Sequence, residues 1–212
     1  MTFTLSMAAV LGAVVLLCAF LQISRRRIMA LLTLSRISAL ALGAASLCRG
    51  LALHEVPLFG VVLLILVAQL FVLPRLIRRL MRDFNTEPDV KQTVQPTGAM
   101  MIGVLPVGLA VAAMAPMAHT PLSPEAGVMA IALAVLLLGL WLMIIQSQFP
   151  AQIIGLITLE NGLVLGLINI KGLAWAADIA VITLLGLVAC LVFIGRWRHY
   201  APSRTRADGV ES

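Results

Sequence analysis

Charge is what this chain has least of. Asp, Glu, Lys and Arg make up 11% of its 212 residues, against roughly 25% in an ordinary soluble domain. So few charges cannot cover a water-facing surface, while 61% of the residues are hydrophobic. Cysteine is sparse as well. Cys18, Cys48 and Cys190 fall in three different apolar stretches, with no Cys-x-x-Cys spacing and no Cys/His cluster. Without a thiolate cluster, the chain is expected to hold no iron–sulfur or nickel centre and no cofactor of its own. The three cysteines read as small apolar residues. His54, His119 and His199 lie at the ends of apolar stretches or between them and read as solvated. No cleavable signal peptide is expected either: Met1-Thr-Phe-Thr4 carries no basic residue, and the apolar run after it outlasts a signal sequence. No internal repeat of the inverted transporter kind stands out.

What is present is length of apolar run. A hydrocarbon core needs about 20 apolar residues to be crossed. Seven stretches meet that need, near Thr2–Ile23, Ile28–Leu53, Pro57–Leu80, Gly98–His119, Glu125–Ile145, Gln152–Ile170 and Gly172–Gly195. They lack strand alternation, and lipid offers backbone groups no partners, so they are expected to be helices. The fold class read from the sequence is all-α: a polytopic membrane protein with seven transmembrane helices.

The net charge of +6 might point to nucleic acid, but its placement points elsewhere. Twelve of the fifteen Lys and Arg residues lie at Arg25–Arg27, Arg75–Arg82, Lys91 and Arg196–Arg206; only Arg36, Arg49 and Lys171 lie outside those places. These positions follow the first, third and seventh helices, which all end on one side in a seven-helix alternation. By the positive-inside rule that side is cytoplasmic, which puts the N-terminus outside and the C-terminus inside. No nucleic-acid partner is expected; the partner surface is a lipid bilayer, read as a prokaryotic cell (inner) membrane.

The organisation follows from the connections. Residues 1–81 form a three-helix part, 82–97 a cytoplasmic loop that is polar and carries two prolines, 98–200 a four-helix part, and 201–212 a tail expected to be disordered. The turn His119–Glu125 is stiffened by Pro121 and Pro124. Asn169-Ile-Lys-Gly172 is short enough to require an antiparallel hairpin of the last two helices.

Glu160 is the residue that least belongs in its surroundings. It sits in Gln152–Ile170, apolar on both sides. A carboxyl at the centre of a membrane helix costs roughly 2.5–3.5 kcal/mol on insertion scales. It therefore either faces protein and hydrogen-bonds across helices as a neutral group, or takes up and releases protons. At about 100° per residue, Gly155, Thr158, Gly162, Gly166 and Asn169 share an arc roughly opposite it. Gly155, Gly162 and Gly166 are the candidate helix-packing residues, since small residues let a neighbouring helix approach closely. Glu160 then points to another neighbour, with Ile153, Ile157, Leu163, Val164 and Leu167.

Asp178 is a second acid, early in the last helix. Helical rise places it roughly 8 Å from the outer end, against roughly 15 Å for Glu160. It reads either as a proton relay or as a helix-start residue. Arg36 lies about eight residues into the second helix and reads either as a buried cation or as a snorkelling side chain. Gln69 is in the middle of the third helix, where its amide needs partners within the protein. The fourth helix carries Gly103, Pro106, Gly108 and Pro116, so a kink or local break is expected there.

Together these residues resemble a known family. Gln152-Ile-Ile-Gly-Leu-Ile-Thr-Leu-Glu-Asn-Gly-Leu163 resembles the Glu-Asn-Gly segment of hydrogenase-4 component E, a membrane subunit of group 4 nickel–iron hydrogenases and formate hydrogenlyase-type complexes. The resemblance extends to chain length, helix number, the loop after the third helix and Asp178 in the last. Residues 125–195 further resemble the three-helix K-type subunit of complex I and the C-type subunit of multisubunit sodium/proton antiporters. The resemblance implies a polar path through the membrane with Glu160 and Asp178 on it. It also implies antiporter-like and hydrogenase-type partner subunits, with catalysis residing in those partners. The chain departs from the family pattern at Gln69, where a lysine is usual, and at Arg36, where an uncharged residue is usual. These departures imply that the buried cation has moved to the neighbouring helix.

Three readings of function follow. The chain is a proton-translocating subunit of a redox-driven complex, a subunit of an ion or inorganic-solute transporter without redox partners, or a structural bundle that docks antiporter-like subunits. No catalytic centre is read within it.

Overall fold

The computed structural model of the chain describes residues 2–53, 57–83, 95–117, 124–170 and 172–200. Within them the chain is all-helical, with seven helices. These are α1 (Thr2–Ser24), α2 (Ile28–Leu53), α3 (residues 57–83), α4 (Pro96–Met114), α5 (Pro124–Ile145), α6 (Phe149–Leu167) and α7 (Ala174–Tyr200). The expected structures of residues 84–94 and 201–212, and the settings of His54, His119, His199 and Cys190, lie outside the described residues. Among the described residues, four helices are long and apolar enough to cross a membrane: Ile28–Leu51, Thr97–Met114, Ala126–Ile145 and Phe149–Leu167. Shorter apolar stretches run over Ala9–Ser24 and Trp175–Ala189, and α3 is interrupted at its centre.

That interruption has a cause in the sequence. α3 consists of an α-helical segment Pro57–Leu66, a π-helical turn Val67–Val72 and an α-helical segment Leu73–Asp83. Pro74 has no N–H to give to the carbonyl of Leu70, and in a regular helix its ring would press on that carbonyl. The wider turn just before Pro74 gives it room, and the Leu73 N–H reaches back five residues to the Ala68 carbonyl. Pro106 of α4 behaves differently. No break occurs there, and the helix runs through to Met114 before a 3-10 turn, Ala115–Met117, that contains Pro116.

Prolines also set the helix starts. Pro96 and Pro150 each occupy the first turn of a helix after an extended residue, Gln95 and Gln148. α6 consequently begins three residues ahead of the expected Gln152. It ends at Leu167, and Gly172 then takes a left-handed conformation (φ 77°) in the turn to α7. The α6–α7 connection is therefore longer than the four residues read from the sequence. At that end Arg49 Nη2 donates to the Asn169 carbonyl (3.0 Å), placing a cation where the helix dipole leaves partial negative charge.

The bundle is apolar outside and carries a polar layer within its apolar interior. Leu63, Met101, Leu105, Leu109, Ile144, Trp175 and Ile182 are among the large exposed side chains. Gln22, Ser35, Ser38, Gln69, Gln146, Thr158, Glu160 and Asn161 are buried. An apolar outer surface of this extent departs from the usual arrangement of a water-soluble domain.

The buried apolar residues form two clusters. One contains Ile28, Leu31 and Leu32 of α2, Leu73, Ile77 and Leu80 of α3, and Ala151, Ile153, Ile154 and Ile157 of α6. The other contains Ala39, Leu42 and Ala45 of α2, Ile65 of α3, and Val164 and Leu165 of α6 with Ile168 just after it, together with residues of α1, α4, α5 and α7. α7 also contributes to both clusters, and on α2, α3 and α6 a set of polar residues falls in the gap between them. Ser35 and Ser38 fill it on α2, Gln69 on α3, and Thr158, Glu160 and Asn161 on α6.

The closest helix approach is between α5 and α6. A Cβ built on Gly162 would meet the Leu136 backbone and come within 2.8 Å of the Ala132 carbonyl. One on Gly155 would lie 2.9 Å from the Met143 nitrogen, and one on Gly139 would meet the Leu159 backbone. Gly166 is less confined, since a Cβ there would make an ordinary 3.6 Å contact with that of Ala132. Gly162→Ala should therefore lower the thermal unfolding midpoint in detergent, with an overpacking cost of about 1–3 kcal/mol. Gly166→Ala should be neutral or stabilising by up to about 1 kcal/mol, from helix propensity alone.

Candidate functional site

The polar layer is organised around Asn161. Its Nδ2 donates to Ser38 Oγ of α2 (3.2 Å) and faces Gln69 Oε1 of α3 (3.4 Å), while Gln69 Nε2 donates back to Asn161 Oδ1 (2.5 Å). Three helices are thus tied through one side chain. The π turn matters here, because Gln69 lies within it. One turn earlier on α6, Thr158 Oγ1 donates to Gln22 Oε1 of α1 (2.7 Å) and lies 2.9 Å from the Ile154 carbonyl. Sequence reasoning placed Thr158 with the glycines of α6. The structure gives its hydroxyl to α1, while Gly155 and Gly162 press on α5.

Glu160 occupies a further face of α6 and is 5% exposed. It borders a cavity of about 30 Å³ with Ala68, Gln69, Val72, Leu73 and Leu76 of α3, Ile157, and Leu185 and Val188 of α7. Its Oε1 has no hydrogen-bond partner. The carboxyl therefore stands beside the Gln69 amide and opposite the π turn, hemmed in by aliphatic side chains. Leaving a buried polar group unpaired costs about 1–3 kcal/mol. Asn161, one residue along, has no such deficit, because its oxygen and nitrogen are both engaged.

The other candidate residues are placed as follows. Asp178 is half-buried on α7, and its carboxylate oxygens lie 3.5 and 3.6 Å from the position a Cβ would take on Gly60 of α3. Gly60 and Ala68 are eight residues apart, about 12 Å along α3, so Asp178 and Glu160 use different levels of the same neighbour. Arg36 is half-buried, its Nε has no partner, and it makes no ion pair with Glu160. Gln69 is buried, with both ends of its amide bonded to Asn161.

Sequence reasoning did not single out Gln22, Ser38 or Pro74. A proline mid-way along an apolar stretch was the available signal for the π turn. No comparable signal pairs Gln22 with Thr158.

Among the described residues no group of three His, Cys, Asp or Glu side chains comes together to hold a metal ion. Cys18 is buried and Cys48 half-buried, both as free thiols. A larger groove of about 720 Å³ runs between α4 and α5, lined by Leu105, Pro106, Leu109, Leu140 and Trp141 among others. It has no titratable side chain and lies apart from Glu160, so the acid defines the candidate site.

The fold and site define an all-helical protein with an apolar outer surface and an internal polar layer containing a buried carboxyl. Comparison with known proteins returns no matching family model, no matching curated protein and no matching solved structure.

The Gln69–Asn161 pair can be tested as a unit. Gln69→Leu should destabilise the protein by about 1–3 kcal/mol, because it strands the Asn161 amide in the interior. Asn161→Leu should behave similarly. The double variant should cost clearly less than the sum, giving a coupling of about 0.5–3 kcal/mol in a double-mutant cycle read by thermal unfolding.

Proposed function

We propose that the chain is an integral membrane subunit of a redox-driven, proton-translocating complex of the group 4 hydrogenase or complex I-like type, with Glu160 as its intramembrane proton site. The observation carrying this reading is the carboxyl itself. Glu160 is buried, one of its oxygens is unpartnered, and it faces a π turn that supplies an amide but no cation. Helix-borne carboxyls in such settings are associated with proton relays. π turns inside helices are likewise frequent at functional sites. The resemblance of the Glu160-Asn-Gly162 segment to hydrogenase-4 component E supplies the complex type, and Asp178 is a second acid on the outer half of the path.

On this reading the chain resides in a prokaryotic cell (inner) membrane. The N-terminus is outside, and the 82–97 loop and C-terminus are in the cytoplasm. Its partners are antiporter-like and hydrogenase-type subunits, which hold the redox centres. Accessible labels at Asn85 and Ser203 should react from the cytoplasmic side of inverted vesicles; reaction from the outer side would reverse the topology.

The decisive test is proton translocation by the reconstituted complex. Glu160→Gln preserves shape and one hydrogen-bonding oxygen but cannot exchange a proton. It should leave assembly intact and reduce translocation by about tenfold or more. Asp178→Asn should reduce it less, because that acid is half-exposed beside Gly60. Wild-type translocation by an assembled Glu160→Gln complex would remove Glu160 from the proton path.

A further inference from the structure

The polar layer contains more unpaired groups than Glu160. Gln22 Nε2, Ser35 Oγ and both amide atoms of Gln146 are buried without a hydrogen-bond partner. Gln22 and Ser35 are fully buried and Gln146 is 1% exposed. At about 1–3 kcal/mol each, several such groups would be a heavy cost in a bundle held together by packing. Their positions are not scattered. Gln22 lies one turn from the exposed Arg25–Arg27 turn, and its carbonyl accepts the Arg25 N–H (3.3 Å). Its side chain bonds Thr158 on α6.

Thr158 and Asn161 are separated by three residues on α6, as are Ser35 and Ser38 on α2. Both pairs therefore lie along one face of their helix. α2 and α6 both begin at the arginine-rich end, since Ile28 and Leu32 of α2 and Ala151 and Ile157 of α6 pack together with Leu73, Ile77 and Leu80 of α3. They run in the same direction, and the Ser38–Asn161 bond sets their register. That register puts Ser35 near the level of Thr158.

Rotation around α6 completes the connection. At about 100° per residue, Thr158 and Asn161 point about 60° apart and Glu160 about 100° from Asn161. Thr158 meets α1, Asn161 meets α2 and α3, and Glu160 meets α3 and α7. Gln69 joins the last two, since it bonds Asn161 and borders the Glu160 cavity. A lane of polar groups is thus spaced from the Arg25–Arg27 turn to the carboxyl in two bonded sets, Gln22–Thr158 and Ser38–Asn161–Gln69, the second bordering the Glu160 cavity. It does not pass Asp178.

We propose that this lane, made by Gln22, Thr158, Ser35, Ser38, Asn161 and Gln69, is the hydrated route by which Glu160 exchanges protons with water at the arginine-rich end. The proposal rests on the reading of Glu160 as a proton site and adds the side and residues of access. Carboxamides do not relay protons readily, so water carries them. The hydroxyls and amides hold that water by supplying the two to four partners a buried water needs. A proton leaves hydronium in the aqueous phase and passes along hydrogen-bonded water and the Ser and Thr hydroxyls. It binds a Glu160 carboxylate oxygen, and release reverses each transfer. Asp178 belongs to the opposite half of the path.

The test uses the full-length chain in phospholipid vesicles. The infrared carbonyl band of protonated Glu160 is assigned by its absence in Glu160→Gln, and its shift on transfer to D2O gives the exchange rate. Thr158→Val, nearly isosteric but without the hydroxyl, should slow exchange by about tenfold or more, equivalent to about 1.4 kcal/mol on the barrier. Thr158→Ser should restore the wild-type rate. Ser35→Ala removes a hydroxyl with no protein partner and should also slow exchange; it supplies the same comparison without loss of a fold contact. Wild-type exchange rates in Thr158→Val and Ser35→Ala would overturn the route. If Glu160→Gln abolishes translocation in that case, Glu160 remains the proton site with another access. Wild-type translocation in Glu160→Gln would overturn both.

Discussion

The structure depends on one interhelical junction, the Asn161 side chain bonded to Ser38 and Gln69. Two apolar clusters fill the bundle on either side of it, and apolar packing alone is weakly directional. Leu and Ile faces can slide past one another by a turn at little cost, above all where the surroundings are as apolar as the interior. An amide that must find an amide and a hydroxyl has far fewer solutions. Each such bond contributes little net stability; measured interhelical bonds within membranes average about 0.6 kcal/mol. Their leverage lies in the penalty for misregister, which leaves several buried groups unpaired together. α2, α3 and α6 are held at a single mutual height by this requirement.

The junction in turn depends on a proline. Pro74 cannot complete a regular helix, and the π turn before it changes the rotation of every residue between Val67 and Val72 relative to the segments on either side. Gln69 lies inside that turn and reaches Asn161 from it. The same turn forms the wall opposite Glu160. A local backbone accommodation, written in one residue of α3, thereby sets both the structural bond and the surroundings of the acid. Close contact on the opposite side of α6, where Gly155 and Gly162 lie against α5, keeps that helix from rotating away.

Within one helix, much of this could be read in advance. α2 falls at Ile28–Leu53 as the apolar run indicates, and Glu160 and Gln69 stand out because polar groups are expensive among aliphatic neighbours. Helix ends shifted by a few residues where proline in the first turn extended the helix, as at Pro150, or where a left-handed glycine closed it, as at Gly172. The wheel of α6 separated the glycines from Glu160, yet it assigned Thr158 to the glycine arc while its hydroxyl goes to Gln22. Periodicity specifies a direction around a helix but not which neighbour lies there. Pairings such as Gln22–Thr158, separated by 136 residues, and Arg49 with the end of α6, separated by 120, arise only when helices are arranged in three dimensions. Arg36 illustrates the same limit: its residue type suggested a cation relocated from the neighbouring helix, and only the arranged bundle shows it half-buried with its Nε unpartnered.

Adjacent residues in the polar layer separate into two kinds by their hydrogen bonding. Asn161 has given both ends of its amide to neighbours, and Gln69 has done the same, so both are accounted for as members of the junction. Glu160 has made no cross-helix bond that would account for it as a structural group, and one of its oxygens faces nothing it can bond. A carboxyl retained only to join helices would be cheaper as a glutamine, which supplies a donor as well as an acceptor and carries no ionisable proton. The layer already contains Gln22, Gln69 and Gln146 at that kind of position. An acid without a cross-helix bond, among amides that could fill the same position, is therefore difficult to explain by packing, and its ionisable proton is the property no neighbouring amide can replace.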